Sequence, residues 1–145
     1  MLYHQSLNRY IDKKLTESFN LHANWPKNLA KPYIVKASET SLKKFKGFTE
    51  GITATASGFY APQGREVRLK SSIDNMHETL TSFNYDGNKI TNFEMESSAL
   101  YYLGQTLGHN TLTICAIIGN RINKTQSSDY KSTVEKLIIE ALEKI

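Results

Sequence analysis

The chain has 145 residues, enough for one domain with a buried core, and no repeat or composition shift indicates a second domain. Its residues are 39% hydrophobic and 22% charged, as in ordinary soluble domains, and the net charge of +4 is too small to require a nucleic acid partner. No apolar run reaches the length of a membrane span, and residues 1–10 lack the apolar core of a signal peptide, so we expect a cytoplasmic protein without membrane contact.

One cysteine and four histidines limit the thiol and metal chemistry of the chain. Cys115 stands in the apolar run 112–118, which predicts a buried thiol rather than a nucleophile, and a single cysteine forms no intrachain disulfide. The histidines are scattered without metal-ligand spacing, so we expect no metal site from His4, His22, His77 and His109.

The first third of the chain is predicted to form a helix, a strand and a second helix. Apolar residues at mixed three- and four-residue spacing predict the first helix over 2–19. A short β-branched segment at 33–35 predicts a strand. Ser38 is the predicted N-cap of a short helix that runs through Phe45 and ends at Gly47.

The middle of the chain is predicted to form strands and turns. Residues 49–56 are small or β-branched, which predicts a strand that a ligand or a neighbouring backbone can approach closely, and the loop 58–65 follows it. Alternation around 80–85, with the turn signal at 86–87, predicts two antiparallel strands. A helix over 76–83 is the alternative.

The last third is predicted to form a helix, a strand and a final helix. The helix over 96–107 has an apolar face made by Ala99, Leu100, Leu103 and Leu107. The apolar run 111–118 predicts a strand covered on both faces, with a polar loop over 120–126 at its carboxyl end. A cap at Ser127 or Ser128 starts the final helix, whose apolar stripe comprises Val134, Leu137, Ile138, Ala141, Leu142 and Ile145.

These elements predict a single α/β domain over 1–145, with a partial mixed, mainly parallel sheet flanked by helices. Polar segments follow strands at three places, and we expect them to meet at one edge of the sheet, where open α/β sheets hold ligands. The three segments are Phe59–Arg65, Glu94–Glu96 and Asn120–Arg121.

Glu94 and Glu96 flank Met95 at a predicted strand-to-helix junction. On an extended chain the two carboxylates share a face, whereas a helix that begins near Glu96 rotates them apart and aims Glu96 into a cleft. The alternative is that both are solvated or complement the positive end of the next helix.

Together the three segments carry the chemistry of a nucleoside site. A planar heterocycle is bound by an aromatic ring with paired donors and acceptors, and a sugar diol by a carboxylate. The segments supply an aromatic ring, two amides, two guanidinium groups, a thioether and a carboxylate: Phe59, Gln63, Asn120, Arg65, Arg121, Met95 and Glu96. The sequence shows no acid and nucleophile pair typical of glycoside hydrolysis, and no Ser-His-Asp or Cys-His set.

The same segments carry a family resemblance. Three motifs resemble, in their order and spacing, the base loop, the ribose motif and the late loop of the nucleoside phosphorylases, most closely the uridine-cleaving members: Gly58-Phe59-Tyr60-Ala61-Pro62-Gln63-Gly64-Arg65, Phe93-Glu94-Met95-Glu96-Ser97 and Ile118-Gly119-Asn120-Arg121. The resemblance runs from about Lys31 to Ile145 and implies the C-terminal half of that family's fold.

By this resemblance Glu96 would hold the ribose 2′- and 3′-hydroxyls, Met95 would pack against the sugar and Glu94 would lie beside it. Phe59 would lie against the base.

The resemblance also assigns the polar contacts to the base. Gln63 and Arg65 match the pair that contacts the uracil edge, and Arg121 matches an arginine that supports the same cluster. Purine-specific relatives have an aspartate at the position of Asn120, which favours a pyrimidine here.

The implied reaction is phosphorolysis of uridine to uracil and ribose 1-phosphate, with phosphate as co-substrate and no other cofactor. Donors aimed at the departing uracil stabilise the transition state more than the ground state, so the resemblance implies catalytic roles for Arg65 and Arg121.

The family's phosphate-binding loops belong to the half that this chain does not match. We therefore expect a truncated chain that is weakly active or inactive by itself. An incomplete sheet exposes an edge and apolar helix faces, so we also expect a homo-oligomer or association with a missing N-terminal half.

Three other functions stay open. A nucleosidase uses water and would tolerate the missing phosphate site, but the resemblance requires an acid at Asn120. Basic charge and many tyrosines suit single-stranded nucleic acid, although most of the aromatic residues lie at spacings typical of a core, so we expect no nucleic acid partner. The third alternative is a non-catalytic protein that binds nucleosides or serves in an assembly.

Overall fold

A computed structural model describes residues 8–145 and contains short helices and strands in alternation. The helices are α1 (Lys13–His22), α2 (Glu39–Lys44), α3 (Met76–Ser82), α4 (Ser97–Thr106) and α5 (Tyr130–Lys144). The strands are β1 (Ile52–Thr55), β2 (Asn84–Tyr85), β3 (Asn88–Glu94), β4 (Gly119–Asn120) and β5 (Thr125–Gln126). Single 3₁₀ turns occur at Asn8–Tyr10 and Ala61–Gln63. In residues 8–145 no helix is both long and apolar enough to cross a membrane.

The sheet is mixed, as predicted. Strand β3 lies at its centre, parallel to β1 and antiparallel to β2. The register pairs Thr55 with Glu94, so β1 and β3 end side by side at their carboxyl ends. Strands β4 and β5 form a separate antiparallel hairpin. The predicted mixed α/β class is confirmed.

The hairpin predicted at 86–87 is confirmed, but the strand before it is shorter than predicted. Asp86 and Gly87 adopt φ of 50° and 83°, the left-handed values of a tight hairpin turn. Residues 80–82 belong to α3, so the alternative helix is the correct one. The reason is packing, because Leu80 and Phe83 lie three residues apart and are both buried.

The core joins α1 to the residues around α3. Leu15 and Phe19 of α1 pack with Leu80 and Phe83, and the rings of Phe19 and Phe83 meet edge to face at 5.3 Å between centroids. Burial of each such side chain contributes about 1.5–3 kcal/mol. This packing fixes α3 and therefore the position of His77 on its first turn.

The first helix begins later than predicted. Asp12 is its N-cap and accepts a 3.0 Å hydrogen bond from the Leu15 N–H, and Lys36 forms an ion pair with the same carboxylate. These contacts hold the pKa of Asp12 below its usual value, because the Leu15 and Lys36 bonds outweigh burial. The part of the predicted helix at 1–7 lies outside the described residues. The predicted strand at 33–35 is reduced to a single bridge between Val35 and Ile11.

The caps of the other helices follow the predictions with one exception. The Ser38 side chain accepts from the Ser41 N–H at the start of α2, and α4 ends before Gly108, which has φ of 78°. The last helix is capped by Asp129, which accepts from the Ser132 N–H, and not by Ser127 or Ser128. A carboxylate one residue further along satisfies the same free N–H groups.

The apolar faces predicted for α4 and α5 are exposed among the described residues. Leu100, Leu103 and Leu107 are 58%, 54% and 68% exposed, and Ile138 and Leu142 are 52% and 64% exposed. Exposed apolar helix faces are what the sequence predicts for an incomplete sheet.

The predicted strand at 111–118 is also absent from the described residues. The backbone contacts of this segment are few: the Thr111 carbonyl accepts from Ser38, the Ile118 carbonyl accepts from Ser127, and the Thr113 N–H donates to the Tyr101 hydroxyl. A strand requires a hydrogen-bonded neighbour, and residues 8–145 offer none here.

Candidate functional site

The loop after β1 folds into a compact turn that carries the first site residues. The 3₁₀ turn at Ala61–Gln63 contains Pro62 and ends at Gly64, which has φ of 69°. The N–H groups of Gln63 and Arg65 both donate to the Tyr60 carbonyl, at 2.9 and 3.0 Å. This geometry buries the Gln63 side chain, which is only 4% exposed.

The amide of Gln63 joins two arginines from distant parts of the chain. Its Oε1 accepts a 2.6 Å hydrogen bond from Arg65 Nη1 and a second bond from Arg121 Nη2. Arg121 Nη1 also donates to the Gln63 backbone carbonyl at 2.7 Å. Because both guanidinium groups bond to Oε1, the amide has one orientation and Nε2 points away from them. Among the described residues no acceptor pairs with Nε2.

Each guanidinium also lies over an aromatic ring. Arg65 Cζ is 3.6 Å from the centroid of Phe59, and Arg65 Nη1 donates to the Phe59 carbonyl at 2.5 Å. Arg121 Cζ is 4.9 Å from the centroid of Phe93, the penultimate residue of β3. Such cation–π contacts hold a planar guanidinium without a carboxylate.

The site has a positive charge that the rest of the described chain does not neutralise. No carboxylate within residues 8–145 forms an ion pair with Arg65 or Arg121. Burial, and next the neighbouring Arg65, lower the pKa of Arg121, although its guanidinium stays protonated at neutral pH. Paired donors with net positive charge suit a planar ligand that carries carbonyl oxygens or develops negative charge.

The carboxylate of Glu94 has a structural role. Its Oε2 accepts hydrogen bonds from the N–H groups of Glu96 at 2.7 Å and Ser97 at 2.6 Å, and its Oε1 accepts from the Thr55 hydroxyl. Burial raises the pKa of Glu94, but these hydrogen bonds outweigh it and hold the pKa below its usual value. Thr55 in turn accepts a 3.0 Å bond from the Ser98 N–H. The Glu94 carboxylate therefore ties β1 to the start of α4.

Met95, Glu96 and Asn120 lie outside this hydrogen-bond cluster. Met95 is 41% exposed, and Glu96 is exposed with its Oε2 3.2 Å from the Met95 N–H. Asn120 Oδ1 accepts from the N–H groups of Ile122 and Asn123 and shapes the β4–β5 hairpin. The structure thus brings Phe59, Gln63, Arg65 and Arg121 into direct contact, while Glu96 presents a carboxylate at the end of β3.

Two residues at the site escaped the sequence-based set. Phe93 lies inside the ribose motif but was assigned no role, and it lies under Arg121. His77 lies perpendicular to Phe93 with 6.2 Å between ring centroids. Burial lowers the pKa of His77, followed in size by the charges of Arg121 and Arg65. Nothing in the sequence around His77 signals this position, which depends on the packing of α3.

The thiol of Cys115 is free and half-buried, so it is less buried than the sequence predicts. Burial raises its pKa, and the charge of Glu94 acts in the same direction, so the protonated form dominates at neutral pH. Within residues 8–145 no three His, Cys, Asp or Glu side chains lie close enough to hold a metal ion.

Comparisons with known proteins agree on one family. Residues 9–145 match the family model of the phosphorylase superfamily. A segment of 75 residues is 35% identical to the uridine phosphorylase of Thermococcus kodakarensis. The match covers 50% of this chain and 25% of that protein. A crystal structure of a Trypanosoma brucei nucleoside phosphorylase, described as showing uridine phosphorylase activity, superposes with a TM-score of 0.76 at 26% identity. That comparison covers 100% of the chain and 54% of the solved relative, so the chain spans about half the length of that protein.

Proposed function

The chain belongs to the phosphorylase superfamily, and on this premise we propose that it carries the uracil- and ribose-binding surface of a uridine phosphorylase. The relatives from Thermococcus kodakarensis and Trypanosoma brucei, one a uridine phosphorylase and the other described as showing that activity, support uridine as the substrate. The reaction is the exchange of uracil for phosphate at the anomeric carbon of ribose.

The observation that carries this proposal is the shared amide of Gln63. With Oε1 occupied by Arg65 and Arg121, its Nε2 remains as a donor, and both guanidinium groups are bonded to the same amide. Uracil presents carbonyl oxygens and one N–H along its edge. Donors that the fold already holds in place suit the carbonyl oxygens of that edge, because they need not be reordered when the ligand binds.

Charge explains how the same residues accelerate the reaction. As the bond from ribose to uracil breaks, negative charge develops on the uracil oxygens, and the guanidinium groups of Arg65 and Arg121 stabilise it. Glu96 holds the ribose hydroxyls and Met95 packs against the sugar, while Phe59, half exposed under Arg65, lies against the base. Glu94 acts through the fold and positions Glu96 by its bond to that residue's N–H.

Phosphate is the co-substrate in this proposal, and its site forms when this chain associates with residues outside 1–145. The exposed apolar faces of α4 and α5 are suited to such an association. By itself the chain then binds uracil and uridine but releases uracil slowly.

The test is binding and turnover with the purified chain. We expect uracil and uridine to bind in preference to adenine and adenosine, and any release of uracil to depend on phosphate. Arg65→Ala removes one of the two guanidinium groups, and Arg68→Ala, at an exposed position nearby, is the matched control. Absence of uracil binding, or uracil release that proceeds equally with water alone, contradicts the proposal.

Where turnover is measurable, Arg65→Ala separates two roles of the guanidinium. A group that acts on the departing base lowers kcat more than it raises KM. An unchanged kcat with a raised KM assigns Arg65 to ground-state binding only.

A further inference from the structure

His77 stands directly behind the turn that carries Gln63 and Arg65. The space left by the missing side chain of Gly64 is occupied by the imidazole, whose Nε2 lies 3.1 Å from the point where a Cβ on Gly64 would be. Gly64 ends the 3₁₀ turn with φ of 69°, so the imidazole backs the turn at its left-handed residue. On its other side the ring is perpendicular to Phe93, over which Arg121 lies. The imidazole therefore contacts both the turn that carries Arg65 and the ring that lies under Arg121.

The groups that surround His77 come from several elements. Arg65 of the loop and Arg121 of the β4–β5 hairpin are both positive, and β3 contributes the uncharged ring of Phe93. Glu66 and Glu78 lie with His77 around a cavity of about 290 Å³. Burial and the two guanidinium charges hold the pKa of His77 below its usual value, against an opposing contribution from a hydrogen bond with Gly64. An imidazolium here would place a third positive charge beside two that already lack carboxylate partners.

We propose that His77 is a positioning residue for the uracil site: the uncharged imidazole fills the space behind the Gln63–Gly64 turn beside the paired arginines, and an imidazolium there displaces the arginines by repulsion of like charges. The inference rests on the proposed function, because it assigns a controlling group to the same uracil-binding arginines. Its consequence is that proton uptake by His77 and uracil binding oppose each other.

The direct test is uracil affinity as a function of pH. Uracil has no titrating group between pH 5 and 8, so a change in affinity over that range belongs to the protein. We expect the wild-type affinity to fall, by up to about tenfold per pH unit, as pH decreases through the pKa of His77, which lies below the ordinary value of 6.5.

Variants separate support from charge. His77→Gln keeps an amide donor toward Gly64 without a titrating proton, so it binds uracil as wild type at pH 7.5 and shows no loss at low pH. His77→Ala loses the support and binds more weakly at every pH. His109→Gln, at an exposed position after α4, keeps the wild-type pH profile. A wild-type profile in His77→Gln, or a flat profile in His109→Gln, overturns the proposal.

A second measurement needs no ligand. In the free chain the side-chain amide resonances of Gln63 shift with the midpoint of the His77 titration, because the turn and the imidazole move together. Amide resonances that ignore the His77 titration overturn the positioning role even if uracil binds. Failure of the wild-type chain to bind uracil at any pH instead contradicts the proposed function, and leaves this measurement to decide the role of His77.

Discussion

The carboxylate of Glu94 accepts a 2.7 Å hydrogen bond from the backbone N–H of Glu96, so two acidic residues of one motif have different tasks. Glu94 accepts from three groups of the chain, which are the Thr55 hydroxyl and the N–H groups of Glu96 and Ser97. Glu96 lies two residues further along and is exposed, and its Oε2 accepts from the Met95 N–H at 3.2 Å. The Glu94 carboxylate therefore fixes the backbone of Glu96 and, with it, the position of the second carboxylate.

Glu94→Gln is expected to destabilise the chain, whereas Glu96→Gln is not. Replacement of one carboxylate oxygen by an NH₂ group places a donor against the N–H and hydroxyl donors that Glu94 now accepts from. The expected loss is about 1–3 kcal/mol of unfolding free energy for Glu94→Gln and less than about 0.5 kcal/mol for Glu96→Gln. Chemical denaturation of both variants measures the difference, and equal stabilities refute the assignment.

The same carboxylate predicts a direction of pH dependence. The pKa of Glu94 is lowered in the folded chain from its ordinary value of 4.5, so the unfolded chain binds a proton first as pH falls. The contribution of Glu94 to stability is complete above pH 4.5 and is lost as pH decreases through the folded pKa. Denaturation of wild type and Glu94→Gln at several pH values should show the two curves converging at low pH. A constant gap between them contradicts this cause.

Gln63→Glu is expected to separate folding from ligand binding. A carboxylate at Gln63 can still accept from Arg65 and Arg121, with the added attraction of opposite charges. The thermal midpoint should therefore equal or exceed that of wild type, while uracil binding is lost because the Nε2 donor is gone. Gln126→Glu on the exposed β5 strand is the matched control and should change neither property. Unchanged uracil binding by Gln63→Glu would show that Nε2 of Gln63 does not donate to uracil.

Gly64→Ala is expected to damage the site beyond its effect on stability. Gly64 and Gly87 both have positive φ, at 69° and 83°, so alanine costs about 1 kcal/mol at either position. Only at Gly64 does the added Cβ meet the His77 imidazole, since Gly87 has nothing within 4 Å. Gly64→Ala should weaken uracil binding and displace the His77 titration, and Gly87→Ala should do neither. Similar binding by both variants would contradict the contact between turn and imidazole.

Leu103→Asp tests the exposed face of α4. Leu103 is 54% exposed, so a charge there costs little folding free energy, whereas Leu80→Asp places a charge at a position only 7% exposed. If the apolar face of α4 is an interface, sedimentation velocity should show smaller species for Leu103→Asp than for wild type at the same concentration. Leu80→Asp should unfold. An unchanged distribution of species for Leu103→Asp contradicts an interface on this face.

Local chemistry made several elements predictable. Ser38 as an N-cap, the turn at Asp86 and Gly87, and the end of α4 before Gly108 each follow from the conformational preference of one or two residues. The strand at 111–118 was not predictable in the same way, because a strand depends on a neighbour that need not lie in the same sequence. The partner of the exposed apolar faces of α4 and α5 is unpredictable for the same reason, because periodicity shows which face is apolar but not what covers it.

The candidate site was predictable to the extent that its residues stand in motifs. Phe59, Gln63, Arg65 and Arg121 contact one another, although Gln63 and Arg121 are 58 positions apart. The division of tasks between Glu94 and Glu96 was left open by spacing alone and is decided by hydrogen bonds across β1 and α4. The role of His77 could not be predicted from the sequence, because its approach to Gly64 depends on the packing of α1 against the residues around α3.

The single amide oxygen shared by Arg65 and Arg121 has a consequence for how this site changes over generations. A substitution that removes the Gln63 amide oxygen takes an acceptor from both arginines at once, and a substitution at either arginine leaves that oxygen with one donor. We therefore expect the three positions to change together, so that a new base preference requires simultaneous replacements rather than single steps. Laboratory selection for altered nucleosides should randomise the three codons together.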